Sequence, residues 1–370
     1  MTAPARPSTE PPATPAAPAG SSPSGDGSGR ARGRAPLRAV PALAALVLLA
    51  MVPYLFGPDE TQILSRVLIF GLFAVSLDLL VGITGLPSLG HAAYFGVGAY
   101  TAGLVAEHWT PNAPVPVLAA AVAGGVAAVL TGWLVVRSDG VFFLMLTLAI
   151  GEITAQLALQ LDDVTGGSDG LFGIPNFRIG GEVLRLEGYR YWYVLTVFAI
   201  TFAAVWLISR SPFGLALRGI RDNEARMRSL GYSPFRYKYA AYVLAGAFAG
   251  VAGGLFAQLN RIVNPSDAGF ALSAITLLAL VLGGAGSLWG PVIGMAVVVV
   301  VRDYYGPDLG GHGPLLLGIV FVIAVYVLPR GFAGLAGLGA LRGRRRGTVH
   351  DPADPDSGAV PGTSSEERPA

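Results

Sequence analysis

Large apolar residues arrive along this chain in long blocks, with few polar positions between them. Ten blocks stand out, near 39–56, 62–83, 89–108, 114–136, 140–161, 191–209, 238–259, 270–286, 288–304 and 313–330. Each approaches the roughly 20 residues that a bilayer's hydrocarbon core demands of a helix. The pattern predicts an all-α, polytopic membrane bundle of about ten spanning segments, some broken or short. The third block is crowded with glycine and does not suit a straight helix. The eighth and ninth are parted only by GGAGSLWGP, Gly283 to Pro291.

The flanks read differently. Residues 1–38 are rich in Pro, Ala, Ser and Arg, and 337–370 turn from basic to polar. Neither can bury a core, so both are expected to be disordered tails around a membrane domain at 39–336. The block at 39–56 comes too late for a cleavable signal. Composition agrees with lipid as the solvent: 53% of the 370 residues are hydrophobic and only 13% are charged. A soluble domain carries about 25% charged residues. The 51 glycines suit helices that pack backbone against backbone. Cysteine is absent, which excludes disulfides, thiolate metal sites and cysteine nucleophiles.

Charge adds a topology. Arg30, Arg32, Arg34 and Arg38 precede the first block, and Arg342, Arg344, Arg345 and Arg346 follow the last. Such clusters mark the cytoplasmic side more often than a nucleic-acid site, and no nucleic-acid partner is expected. With Arg38 inside, alternation puts Arg137 inside, 162–190 outside and 210–237 inside. The last of these is the densest internal basic stretch, with Arg210, Arg218, Arg221, Arg226, Arg228, Arg236 and Lys238. An even number of spans returns the C-terminus to the same side. Both termini of a multi-pass plasma-membrane protein are therefore expected in the cytoplasm.

That inside segment has its own pattern. Pro212 suits an early helix position. Ala216, Ile220, Met227 and Leu230 fall at spacings that fit one face of a short helix, or of two. Gly231 is placed to end it, with Pro234 beyond. Gly246, Gly250 and Gly254 then follow at intervals of four, a ridge expected to lie against another helix. A short amphipathic helix at this place either lies on anionic lipid or docks a cytoplasmic partner.

The stretch NEARMRSLG resembles the coupling loop of ABC-importer permeases, whose pattern is Glu-Ala-Ala, three residues, Gly. Glu224 and Ala225 match, Arg226 replaces the second alanine, and the spacing to Gly231 is one residue longer. The fuller LRGIRDNEARMRSLGY is closer to the branched-chain amino acid permeases of LivM type. LVGITGLPSLGHAAYFGVGAYTAGL (80–104), LDDVTGGSDGLFGIP (161–175) and LGGAGSLWGPVIG (282–294) resemble the same family, in the same order. Asp78 departs from it, standing where the family more usually has asparagine.

The resemblance implies a permease subunit that forms the pathway for branched-chain amino acids, with urea or short amides as the alternative cargo. It implies a second related permease, two separate ATPase subunits and an extracytoplasmic binding protein. The chain has no G-x-x-x-x-G-K-[ST] motif; its only lysine is Lys238. ATP would be used by the partner subunits, and no cofactor, metal or catalytic residue is expected in this chain. The coupling loop, about 211–236, would sit in an ATPase cleft through Arg218, Arg221, Asp222, Asn223 and Glu224, with Ala216 and Ile220 as apolar anchors and Gly231 as its end.

Pathway or helix-break candidates are Asp78, Ser88, His91, Glu152, Thr165, Gly166, Gly167, Ser287 and Trp289. Asp78 and Glu152 are carboxylates inside spans, costly there and functional candidates by default. Asp78 should sit in the bundle interior, while Gln156, four residues after Glu152, offers it a structural partner. Thr165, Gly166 and Gly167 fit either a plain turn or a face for the binding protein. Ser287 and Trp289 fit either a plain turn or a cavity lining. Ser88 is placed to cap the third span, with His91 in its first turn as a buried hydrogen-bonding residue. Gly85 and Gly90 allow a bend before it, and Gly96, Ala99 and Gly103 give it a small-residue face. Ser88 and His91 also raise an intramembrane serine protease, which the absence of a Gly-x-Ser-Gly-like turn disfavours. An ATP-independent secondary transporter would have no use for the docking helix.

Overall fold

The computed structural model describes residues 48–179, 182–183, 187–306, 313–327 and 331–332. The two tails, their arginine clusters and most of the first apolar block lie outside the described residues. The rest is a helical bundle: α1 Pro58–Asp78, α2 Ala92–His108, α3 Pro114–Val135, α4 Val141–Gln160, α5 Glu187–Arg210, α6 Pro212–Asp222, α7 Glu224–Ser229, α8 Pro234–Asn260, α9 Phe270–Gly283, α10 Trp289–Val299 and α11 Gly313–Val327. Wider π-helical turns extend α1 through Leu79–Thr84 and α10 through Val300–Tyr305. Among the described residues five helices are long and apolar enough to cross a membrane: α1 with its extension, α3, α4, α5 and α8. The eighth and ninth blocks are shorter helices, and among the described residues strand is confined to two-residue pairs.

The elements differ in what they bury. In α1 every residue from Leu68 to Asp78 is buried, so this helix is apolar all round because protein surrounds it. In α3 and α4 only 28% of the apolar window is buried, against 89% for α1. Their outward valines, leucines and phenylalanines have no protein cover, as expected of helices at the edge of a bundle in lipid.

The glycine ridge on α8 behaves as its spacing predicts. A Cβ added at Gly250 would strike the Ala120 carbonyl of α3, and one at Gly124 would strike the Gly246 carbonyl of α8. On the other side of α8, a Cβ at Gly253 would strike the Phe95 carbonyl of α2, and one at Gly98 would meet the Gly250 backbone. Three helices therefore touch backbone to backbone. One polar cluster ties them: the Tyr94 hydroxyl of α2 lies 2.7 Å from the Thr131 hydroxyl of α3 and 2.5 Å from that of Tyr242 on α8. The face of α2 that meets α8 shares only Ala99 with the expected small-residue face. Gly98, with Phe95 and Ala99, faces the helix, whereas a Cβ at Gly96 would meet Ala268 and one at Gly103 would meet Leu171. Gly96 and Gly103 make room for connecting segments.

Contacts sort the loops to two ends. One end gathers Gly85, Asp139, α6, α7 and the 284–288 link, with Arg137, Arg218, Arg221, Arg226, Arg228, Arg236 and Lys238. It is called the basic end below. At the opposite end Leu171–Phe172 pairs antiparallel with Ile262–Val263. The Arg261 side chain donates to the Ile174 carbonyl at 2.9 Å, and the Gln258 amide to Ala113 at 2.9 Å.

Candidate functional site

The third apolar block is not one helix. After Thr84 the chain turns at Gly85, where φ is +78°, a conformation that glycine takes without strain. Residues 85–91 then run back into the bundle without helical structure. His91 ends this link beside Phe73 and Ser76 of α1, two to three turns below the end of the rod. Its Nε2 lies 2.9 Å from the Ser76 hydroxyl, and its ring stacks on Phe73 at 5.4 Å. Non-helical backbone at membrane depth is tolerated only where protein or a water-filled cavity receives it. Here protein does: the Leu89 N–H donates to the Thr147 hydroxyl of α4 at 3.2 Å, and the Ala92 N–H to the Ser273 hydroxyl of α9 at 2.8 Å.

One expectation is corrected at this link. Ser88 does not cap α2. The helix begins four residues later, its first N–H is taken by Ser273, and the buried Ser88 hydroxyl has no hydrogen-bond partner among the described residues. Gly90 lets the link press against α4 as the chain bends at Leu89, and a Cβ there would strike the Thr147 carbonyl. His91 is a fully buried hydrogen-bonding residue as expected, through Nε2 alone.

Asp78 organises the basic end. It is wholly buried, and both carboxylate oxygens accept backbone N–H groups of the link between α9 and α10: Gly286 at 2.6 Å and Leu288 at 3.3 Å. Leu288 holds φ +57° without being glycine, a conformation that costs about 1–3 kcal/mol and persists only when its surroundings fix it. The carboxylate is one such restraint. Ser287 is another: its hydroxyl donates to Gly284 at 2.8 Å and accepts from the Gly290 N–H at 3.0 Å, capping α10. Trp289, half exposed, packs on Phe202 of α5 with ring centroids 4.5 Å apart.

The predicted docking segment is two helices, α6 and α7, joined at Asn223. Each has a local start signal. The Ser211 hydroxyl accepts from Gly214 at 3.4 Å, with Pro212 next, and the Asn223 carboxamide accepts from Arg226 at 2.9 Å. Gly231, at φ +87°, follows α7. Ala216 and Ile220 cannot be anchors for a partner. They are 5% and 2% exposed, because α6 turns its apolar stripe, with Leu217, onto the bundle. The surface left outside carries Leu215, Asp222, Arg226, Leu230 and Tyr232.

Two polar ties fasten this segment. The Arg221 guanidinium donates to the Gly82 carbonyl in the π-helical end of α1. Arg221 also lies over Gly85. Gly82 in turn touches Gly286. Further along, the Lys238 ammonium of α8 bridges Glu224 at 2.6 Å and Asp139, between α3 and α4, at 3.3 Å. Sequence reasoning missed Ser76, Ser273, Asp139 and the bridging role of Lys238. Only Lys238 carried a signal, as the one lysine.

The remaining candidates stand apart from this junction. Thr165, Gly166 and Gly167 form a tight turn at the opposite end. The Thr165 hydroxyl donates to Ala158 at 2.5 Å, and both glycines have positive φ. Glu152 is exposed on the outward face of α4, with the Gln156 amide donating to it at 3.2 Å.

A polytopic helical membrane bundle with a re-entrant glycine link and a paired amphipathic segment at its basic end is the architecture of a multi-pass membrane protein, consistent with a permease. Comparison with known proteins makes this specific. Residues 61–337 match the family model for the permease component of branched-chain amino acid transport systems. The chain is 31% identical over 318 residues to the high-affinity branched-chain amino acid transport system permease protein LivM of Escherichia coli strain K12, covering 78% of this chain and 73% of that protein. It is 26% identical to a probable branched-chain amino acid transport permease protein LivH of Methanocaldococcus jannaschii, covering 75% and 93%. It is 27% identical to an autoinducer 2 import system permease protein LsrC of Escherichia coli O9:H4, covering 70% and 76%. No solved structure matches. The chain belongs to the branched-chain amino acid transport permease family.

Proposed function

We propose that this chain is the membrane-spanning subunit of an ABC importer and carries branched-chain amino acids inward. An extracytoplasmic binding protein would deliver the cargo, a second related permease would complete the pathway, and two separate ATPase subunits would drive it. The observation that carries the reading is the α6–α7 pair. Its buried stripe is spent on the bundle, its outer surface presents Leu215, Leu230 and Tyr232 beside Asp222 and Arg226, and Arg221 ties it to the end of α1. A partner that moved α6 would pull on the rod around which the bundle is packed. The excess of arginine at this end supports a cytoplasmic location for it, and with an even number of spans for both termini.

The likeness to the LivM proteins favours a branched-chain cargo over the autoinducer that names the more distant LsrC relatives. The test is uptake into proteoliposomes holding the full complex. Labelled leucine, isoleucine or valine should accumulate only with internal ATP and the binding protein. Accumulation without ATP would overturn the importer reading; ATP-dependent uptake of urea or another solute alone would overturn the cargo.

A further inference from the structure

The outward face of α4 breaks the rule that its neighbour keeps. On α3 the outward residues are Val115, Leu118, Val122, Val126, Leu130 and Trp133, all apolar. On α4 the residues Glu152, Gln156 and Gln160 recur every four positions and so form one stripe along the exposed side. Glu152 lies about 16 Å along the helix from Val141, well inside a hydrocarbon layer. The stripe climbs from there to Gln160 and runs out at the exposed Asp162 and Asp163, at the end opposite the basic one. Glu152, Gln156 and Gln160, with Ala149, Ile153 and Leu157, line a shallow open depression. No cation pairs with Glu152 among the described residues; its contact is the Gln156 amide, which leaves acceptor capacity on the carboxylate.

A carboxylate at this depth is expensive against lipid and is found facing a protein interior or a water-filled cavity. Within this chain it faces neither. We infer that the Glu152–Gln160 stripe is one wall of a water-filled cleft, open to the side away from the basic end, that receives the ammonium group of a passing solute. Charge supports this occupant. The stripe and the two aspartates at its mouth are anionic or neutral, so the field along it draws cations inward. Gln156 holds the carboxylate while its free lone pairs meet the ammonium. The inference rests on the importer reading for its cargo, an amino acid, but not for its test.

The chain contains no cysteine, so a single introduced thiol reports its own surroundings. The full chain, assembled with its partner subunits in membrane vesicles, is prepared as Gln156→Cys, Gln160→Cys and, as a lipid-facing control, Leu118→Cys. Each is exposed to two membrane-impermeant methanethiosulfonates, one cationic and one anionic. The thiols at 156 and 160 should react and that at 118 should not. The cationic reagent should be favoured at 156 over its rate ratio with a free small thiol. Adding Glu152→Gln should reduce that preference about threefold or more, the effect of one unit charge a few ångströms away. Glu152→Asp should keep it.

Silence at 156 and 160 would mean lipid or a dry subunit contact and overturns the inference. So does reaction without cation preference, or a preference that Glu152→Gln leaves unchanged. If Glu152→Gln removes the chain from the membrane, the ratio at 156 with Glu152 intact still decides. Accessibility needs neither ATP nor cargo. Failed leucine uptake beside an intact ratio would count against the proposed cargo alone.

Discussion

The seam between α2, α3 and α8 and the junction around Asp78 are both glycine-lined, the first inside the bundle and the second at its basic end. At the seam glycine is there because nothing else fits: helix backbones touch, and a single methyl group would meet a carbonyl of the facing helix. At the junction the same residue serves a different end. Gly82 and Gly286 touch so that Asp78 can reach the 284–288 link and Arg221 can reach α1. The seam is fixed by shape and has one tight arrangement. The junction is held by a few hydrogen bonds across three non-adjacent segments, which can be exchanged one at a time. A bundle built this way pairs a block fixed by shape with an adjoining region held by few bonds, which is what the proposed ATP-driven import would require.

The largest effect is expected at the seam. Gly250→Leu would drive a side chain into α3 where the obstacle is backbone and cannot step aside. Overpacking of this kind costs more than the roughly 1–3 kcal/mol seen where side chains can yield. The variant should be lost from the monodisperse fraction after detergent extraction and size-exclusion chromatography. Gly250→Ala should fall between it and the unaltered chain. A stable Gly250→Leu permease would mean the seam is loose, and the contrast with the junction would disappear.

Asp78→Ala should come next. It leaves the Gly286 and Leu288 N–H groups without their acceptor, and for the buried Leu288 that loss is worth about 1–3 kcal/mol. The strained Leu288 loses its restraint as well. Thermal unfolding followed by aggregation should begin several degrees lower, and leucine uptake should fall by about tenfold or more, the equivalent of 1.4 kcal/mol in the transport step. Asp78→Asn retains one acceptor oxygen and should lose much less. Equal loss in both variants would show that charge, and not acceptor geometry, holds the link.

What could be read from the sequence follows the range of the forces involved. The apolar blocks from 62 onward, the ridge at Gly246, Gly250 and Gly254, and the start of α6 at Pro212 are set by local spacing, and all three are present. Asp78 was legible as a costly carboxylate that must lie inside, but not its partners, 208 and 210 residues away. The cap on α2 was misassigned for the same reason. Ser88 is near in the chain, whereas Ser273 is near in space. Ala216 and Ile220 went wrong differently. Periodicity finds an apolar stripe but not which body it faces, and α6 is close enough to its own bundle to spend the stripe there. Gly98 was passed over because its seam partner, Gly250, belongs to a helix some 150 positions on.

The smallest structural effect, and the most telling, is expected from Arg221→Ala. The guanidinium is half exposed and makes one strong tie, to the Gly82 carbonyl, so stability should fall by no more than about 1–1.5 kcal/mol. Assembly with the partner subunits should survive, because the outward residues of α6 and α7 are untouched. What should change is the link between the two ends. ATP hydrolysis by the complex should continue while leucine uptake per ATP falls, since α6 could then move without drawing α1. Arg221→Lys keeps the charge but reaches with a point-like ammonium in place of a planar fork, and should restore part of the ratio. Were uptake and hydrolysis to fall together in Arg221→Ala, the tie would be part of the docking surface. The junction would then be as rigid as the seam, and the division between the two regions would have to be redrawn further along α1.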